Sequence, residues 1–232
     1  MKRIGMTKKR ISVLLAEDHH VVREGFRKML ELEDDLEVVG EAEDGRQAVT
    51  LVKKLRPRVV VMDIAMPLLN GLEATRQILK TVPSARILIL SAHGDDGYVK
   101  SAIESGAVGF LLKQASAHDL SKGIREVNKG HTFFGPFMAK RLPERERKLL
   151  DRAGRSKPRK DRLTSRELEV IQLIAEGKAN KQIAAEVGIG MKTVEKHRER
   201  LMAKLNIHDT AGLTRYAISA GMIESSVQVT II

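Results

Sequence analysis

Hydrophobic and polar positions fall into two regimes along the chain. Across the first 115 residues, five short apolar runs stand at 11–16, 36–40, 58–62, 86–90 and 108–112, all rich in Val, Ile and Leu. The runs are largely continuous rather than alternating. That is the mark of strands buried on both faces, as in a parallel sheet. Between them lie amphipathic stretches of helical length. Val22, Phe26, Met29 and Leu30 share one helical face, and Asp44 with Gln47 three residues on marks the start of a second helix. Helices over 71–81, 95–105 and 116–129 complete the series. Strand and helix alternate five times, which predicts a doubly wound α/β domain of five parallel strands over 11–130.

From His131 the pattern breaks. Residues 131–162 are rich in Lys, Arg and Glu and carry Pro143, Gly154 and Pro158. They read as a basic linker, partly helical over 143–153. A different texture opens at Leu163. Thr164 with Glu167 forms a capping box ahead of a helix containing Leu168, Ile171 and Ile174, and Gly177 ends it. Further short helices follow over 180–187, 192–205 and 209–220, with Gly188 in the first turn and Gly221 at the end. Four short helices over 163–223 predict a small all-α bundle. No internal repeat is present.

Composition narrows the class. Of 232 residues 42% are apolar, which suits one large or two modest domains with real cores. The chain has no cysteine, which excludes disulfides and thiolate metal sites. No apolar run reaches membrane-spanning length, and the basic start MKRIGMTKKR is followed by no signal-like stretch. The expectation is a soluble, cytoplasmic protein with no membrane partner. Net charge is +11, of which +7 falls in residues 131–162. A basic balance points to an anionic partner such as nucleic acid, although a solubilising linker accounts equally well for the charge itself.

Five polar residues mark the predicted strand ends. Glu17 and Asp18 follow the first strand, and Asp63 follows the third. In an open sheet of flavodoxin-like order, strands one and three flank the switch point where ligands bind at the carboxyl ends, so these acids converge. Clustered carboxylates suit a hard cation such as Mg²⁺, and an aspartate carboxylate can accept a phosphoryl group as a nucleophile. Ser91 ends the fourth strand and Lys113 the fifth. A hydroxyl and an ammonium supply the hydrogen bond and the opposite charge that a phosphoryl group needs. Solvated acids after strands are common, yet five matching groups at strand ends outweigh that reading. His19 and His20 open a helix and read as ordinary surface residues.

In the C-terminal segment, the helix MKTVEKHRERLMAKL divides its faces. Val194, Leu201 and Leu205 fall on one side, and Lys192, Lys196 and Arg200 on another, with Arg198 and Lys204 nearby. An apolar face against the core and a cationic face outward is what a major-groove helix requires, and the preceding helix with its Gly188 turn completes a helix-turn-helix.

The runs LLAEDHH, VVVMDIAMP, LILSAH and GFLLKQAS resemble the receiver domains of bacterial two-component response regulators. The segment LTSRELEVIQLIAEGKANKQIAAEVGIGMKTVEKHRERLMAKLNIHDTAGLTRYAISAGMI resembles the LuxR-type DNA-binding domain, and the two together resemble the NarL/FixJ family. The resemblance implies that Asp63 is the phosphoacceptor, and that Glu17, Asp18, Asp63 and the Ala65 backbone carbonyl hold Mg²⁺. It implies that Ser91, Lys113 and Phe110 are the phosphate-binding and switch residues, with Phe110 moving inward on activation. Ala65 and His93 take the two variable positions that tune dephosphorylation. Lys192, Thr193, Glu195, Lys196, His197, Arg198 and Glu199 would approach double-stranded DNA, with Lys181 and Arg200 on phosphates. Many relatives carry lysine where Glu195 stands, so Glu195 would accept from a cytosine amino group rather than face phosphate.

The partners so implied are a sensor histidine kinase, promoter DNA, and a second copy of the chain when it is phosphorylated or DNA-bound, through the last helix. The protein would be no substrate-turnover enzyme. An aspartyl-phosphate phosphatase also uses a nucleophilic Asp after a buried strand, but needs a second Asp two residues on, where Ala65 stands. A degenerate receiver that works without phosphate is disfavoured by the intact acid set. His208-Asp209 reads as a helix cap rather than a metal motif.

Overall fold

The computed structural model describes residues 10–134 and 163–223. The basic start, most of the linker with its expected helix over 143–153, and the apolar tail 225–232 lie outside the described residues.

The first unit runs β1 (Ile11–Ala16), α1 (His20–Glu31), β2 (Leu36–Ala42), α2 (Gly45–Leu55), β3 (Val59–Asp63), α3 (Gly71–Thr81), β4 (Arg86–Ser91), α4 (Asp96–Ser105), β5 (Gly109–Leu112), α5 (Ala117–Asn128) and β6 (Phe133–Phe134). The strands form one sheet of order β2-β1-β3-β4-β5-β6, and every neighbouring pair is parallel. Side-chain alternation along each strand feeds two cores. Leu14, Val60, Met62, Ile87 and Ile89 face one layer with Ala48, Val52 and Ile78 of α2 and α3. Val13, Leu15, Val59, Val61 and Leu90 face the other, with Leu30 of α1 and Leu120, Ile124 and Val127 of α5.

Six strands stand where five were expected. Phe133 donates its amide to Val108 O at 3.0 Å and extends the sheet beyond β5. Two residues are too short to show a hydrophobic period. The strand fits because Gly123 leaves room: a Cβ there would lie 2.9 Å from the Phe133 ring.

The second unit comprises α6 (Ser165–Ala175), α7 (Asn180–Val187), α8 (Met191–Leu205) and α9 (Thr210–Ser219). Val170, Ile174, Ile183, Val194, Leu201, Leu213 and Ala217 make its core. Helix starts follow side-chain capping. Asp44, Asn70, Ser116, Thr164 and Asp209 each accept the backbone N–H three residues on, and Thr164 and Glu167 close the capping box. Asp209 is thus a cap, as its position suggested. Gly188 turns α7 into α8 at φ 67°.

Gly71 lets α3 press against the end of β3. A Cβ at this position would lie 1.8 Å from Asp63 O. Gly25, inside α1, has nothing within 4 Å of such an atom. Gly71→Ala is therefore expected to destabilise the first unit by about 3 kcal/mol through overpacking. Gly25→Ala is expected to stabilise it by about 0.5–1 kcal/mol through helix propensity. Urea unfolding of both variants tests the contrast, and equal effects would contradict this packing.

Candidate functional site

The sheet order puts the chain reversal between β1 and β3, and the acids meet there. Glu17 and Asp63 are buried, while Asp18 is half-buried. Lys113 reaches in from the end of β5. Its ammonium lies 2.9 Å from Glu17 Oε2 and 3.0 Å from Asp63 Oδ2, and it donates to Glu17 Oε1 at 3.2 Å. Asp63 Oδ1 accepts the Ile64 amide at 2.8 Å, which fixes the carboxylate plane. Ser91 is buried at the end of β4 and its Oγ accepts the His93 amide at 3.0 Å. Four strand ends, of β1, β3, β4 and β5, thus bring together all five polar residues expected at the site.

One lysine does not offset the crowding. Burial first, and then the neighbouring Glu17 charge, push the Asp63 carboxyl up from 3.8 to about 7, against the opposing pull of Lys113. Three carboxylate oxygens, Glu17 Oε2, Asp18 Oδ1 and Asp63 Oδ2, are buried with no hydrogen-bond donor aligned on them. The nearby Lys113 and His19 nitrogens supply charge at short range without that alignment. Convergent, unsaturated carboxylate oxygens are a donor set suited to a hard divalent cation. The residues present therefore fit Mg²⁺.

Sequence reasoning missed two supports. Arg23 of α1 is buried and donates to Glu17 O at 2.7 Å, to Glu43 Oε1 at 2.8 Å and to Glu41 Oε2 at 3.2 Å, so it anchors the turn that carries Glu17 and Asp18. An arginine on a helix otherwise reading as solvent-facing gave no signal. His19 is exposed, as expected of a surface residue, yet it borders the site. Its Nδ1 lies 3.1 Å from Glu17 Oε1 and 2.8 Å from Asp18 Oδ1, and the Asp18 charge raises its pKa above the ordinary value, against burial.

Phe110 is fully buried in the core. His93 stacks on Tyr98 with ring centres 5.4 Å apart. Beside them a cavity of about 290 Å³ is lined by Asp63, Ala65, Ser91, His93 and Tyr98, and on its other side by Ile218, Ser219, Gly221 and Ile223 of the helical unit.

On α8, Lys192, Thr193, Glu195, Lys196, Glu199 and Arg200 are exposed, as is Lys181 on α7. Arg198 is half-buried and tied inward, to Asn180 Oδ1 at 3.1 Å and Thr210 Oγ1 at 3.2 Å. His197 is half-buried too, and burial pushes its imidazole below the usual range. Arg198 thus braces the helices, whereas the exposed residues present an open polar face.

Comparison with known proteins agrees with this geometry. The response regulator receiver domain pattern matches residues 13–125, and that of the bacterial regulatory proteins of the luxR family matches 161–217. The chain is similar to the transcriptional regulatory protein DegU of Brevibacillus brevis, at 34% identity over 93% of this chain and 96% of DegU. It is 38% identical to the transcriptional regulatory protein LiaR of Bacillus subtilis, over 89% of this chain and 96% of LiaR. Among solved structures it resembles RcsB from Salmonella enterica serovar Typhimurium bound to promoter rprA with the phosphomimetic BeF₃⁻. That likeness has a TM-score of 0.57 and 27% identity, over 90% of this chain and 98% of the other. Among the described residues no helix is long and apolar enough to cross a membrane.

The raised Asp63 carboxyl carries a stability consequence. The fold binds this proton more tightly than the unfolded chain does. The contribution is complete below about pH 4 and is lost as pH rises through about 7. Holding the ionised form then costs on the order of 4 kcal/mol at most. Asp63→Asn is expected to raise the melting temperature of the metal-free chain at pH 8, with little effect at pH 4. Thermal melts in chelator check this, and a lower melting temperature for the variant at pH 8 would refute it.

Proposed function

Because the chain belongs to the NarL/FixJ family of two-component response regulators, DNA-binding transcriptional regulators and not metabolic enzymes, we propose that Asp63 is the residue through which a sensor histidine kinase switches it. The observation that carries this reading is the convergence of Glu17 and Asp63 on the Lys113 ammonium, each about 3 Å from it, at the β1–β3 edge.

In the proposed step, an Asp63 carboxylate oxygen attacks the phosphorus of a phosphohistidine. The P–N bond breaks, its electron pair leaves with the imidazole nitrogen, and the new O–P bond makes an acyl phosphate. The Ile64 amide holds the other Asp63 oxygen, so the attacking one is oriented. Lys113, already within 3.0 Å of Asp63 Oδ2, pairs with the incoming phosphoryl charge. The Ser91 hydroxyl donates to a phosphoryl oxygen. Glu17, Asp18, Asp63 and the Ala65 carbonyl would hold Mg²⁺, which supplies positive charge to the crowded oxygens and to the transferring group. Ala65 and His93 set how water reaches the product.

The exposed α8 face, with Lys192, Thr193, Glu195, Lys196, Glu199 and Arg200, would enter the major groove, and Lys181 would hold a phosphate. Arg198 would act by fixing the angle of α8, and His197 would approach the DNA from the same helix. Pairing of two chains through α9 would match two DNA half-sites. The domains are read as 11–130 for the receiver, 131–162 for the linker and 163–223 for the output domain.

Incubation with acetyl phosphate is expected to add a single phosphoryl group in the presence of Mg²⁺, to add none with chelator, and to add none to Asp63→Asn. Intact mass reads this directly, and an adduct retained by the variant would remove Asp63 from the role. For the output, Lys196→Ala is expected to weaken binding evenly across DNA sequences and to reduce the salt slope by about one. Titrations at several salt concentrations check it, and an unchanged slope would take Lys196 off the phosphate backbone.

A further inference from the structure

The two units meet at the loop that follows Asp63, where a polar network stands beside the apolar contact of Leu68. Along α6, Glu169, Gln172 and Glu176 recur at spacings of three and four, so they form one stripe of the helix. Gln172 is fully buried. Its amide nitrogen donates to Met66 O at 2.9 Å and to Glu176 Oε1 at 2.8 Å. Its amide oxygen accepts from Asn70 N at 2.7 Å and Asn70 Nδ2 at 3.0 Å. Three of these four hydrogen bonds cross to the receiver. Glu176 accepts the Leu68 amide at 3.0 Å, and Glu169 accepts from Gln77 of α3 at 2.8 Å.

The loop so held is not relaxed. Leu68 has φ 64°, a left-handed conformation that a branched, bulky side chain adopts at a penalty. Such a backbone persists only where its surroundings over-determine it. Here they come from both units: Leu69 N donates to Pro67 O at 2.7 Å across the turn, while Glu176 of the output domain holds the Leu68 amide and the Leu68 side chain packs against the output-domain core. The same loop begins at Ile64 and Ala65, beside the phosphoacceptor, and Gly71 N closes it by donating to Ile64 O at 2.8 Å. A further contact lies across the cavity, where Gly221 packs on the Tyr98 ring.

We propose that Gln172 is a positioning residue of the phosphoacceptor site. From the output domain it fixes the loop after Asp63, so that docking of that domain and phosphorylation of Asp63 oppose one another through the loop. This rests on the reading of Asp63 as phosphoacceptor. The mechanism is not concealment of the DNA-reading face, because Lys192, Thr193, Glu195, Lys196, Glu199 and Arg200 stay exposed while the domains are docked. What docking restrains is the backbone that must adjust around a new phosphoryl group and the Ala65 carbonyl. By linkage, whatever reshapes the loop weakens docking by the same factor that docking weakens the reshaped loop.

Amide hydrogen exchange on the full chain tests this, with intact mass reporting phosphorylation in the same samples. Phosphorylation by acetyl phosphate and Mg²⁺ is expected to speed exchange in residues 66–70 and in 168–176 together. Gln172→Met keeps length and helix propensity while removing the polar contacts. It is expected to speed exchange in both segments without phosphate, and to raise the phosphorylation rate by about fivefold or more, the lower end of typical coupling between sites. Gln172→Ala should behave alike.

An adduct with unchanged exchange in both segments would overturn the coupling and leave the phosphoacceptor reading intact. Faster exchange confined to α6 in both variants, with no change in phosphorylation rate, would reduce Gln172 to a structural role and overturn it as well. No adduct on the wild-type chain would overturn the phosphoacceptor reading and this inference with it.

Discussion

Three carboxylates share the carboxyl edge of β1 and β3 with a single ammonium, and most of the receiver is organised around holding them there. Like charges at this range separate unless the scaffold is stiffer than their repulsion. The stiffness has identifiable sources. Parallel strands buried on both faces set the positions of the three strand ends. Arg23 ties the β1 turn through Glu17 O, and Gly71 allows α3 to pack directly behind Asp63. The result is a site poised with too much negative charge and too few donors, and a bound cation or a phosphoryl group on Asp63 changes that balance locally. A pocket in this condition is a switch because the smallest chemical change in it is a large electrostatic one.

Much of this was legible in the chain. Five apolar runs gave five strands to within a residue or two at most ends, because buried parallel strands are short, continuous and β-branched. Asp44, Ser116 and Thr164 announced helix starts because a capping side chain must sit at a fixed offset from the first turn. The acids, Ser91 and Lys113 could be gathered from sequence because strand ends in a doubly wound sheet share one edge. Other features left no such trace. β6 is two residues long, and Arg23 looks like any surface arginine until Glu41 and Glu43, far along the chain, close around it. Phe110 packs in the core, which its apolar strand also suggested.

Helix α8 shows the same division. Its amphipathic pattern predicted which face is core, and Val194 and Leu201 are fully buried. The pattern did not separate cations that point outward from cations that bind the domain together. Arg198 spans α7 and the start of α9, so it behaves as a brace although its charge matches its exposed neighbours. Its removal would alter the angle at which the whole face meets a groove. Removing Lys196 would alter one charge. Two residues of the same sign, two positions apart, thus act on different terms of the same binding free energy.

The contact between the units was the least legible feature, and physics explains why it takes the form it does. Glu169, Gln172 and Glu176 read as the solvent face of α6, and a helix that must work both docked and free has to look that way. An apolar interface would hide the output domain permanently or leave a sticky surface when it opened. A polar one exchanges its hydrogen bonds for water at small net cost. The strained backbone at Leu68 then matters more than its size suggests. A penalty of this kind favours relaxation of the loop once a restraint on it is lifted, and this loop begins beside Asp63.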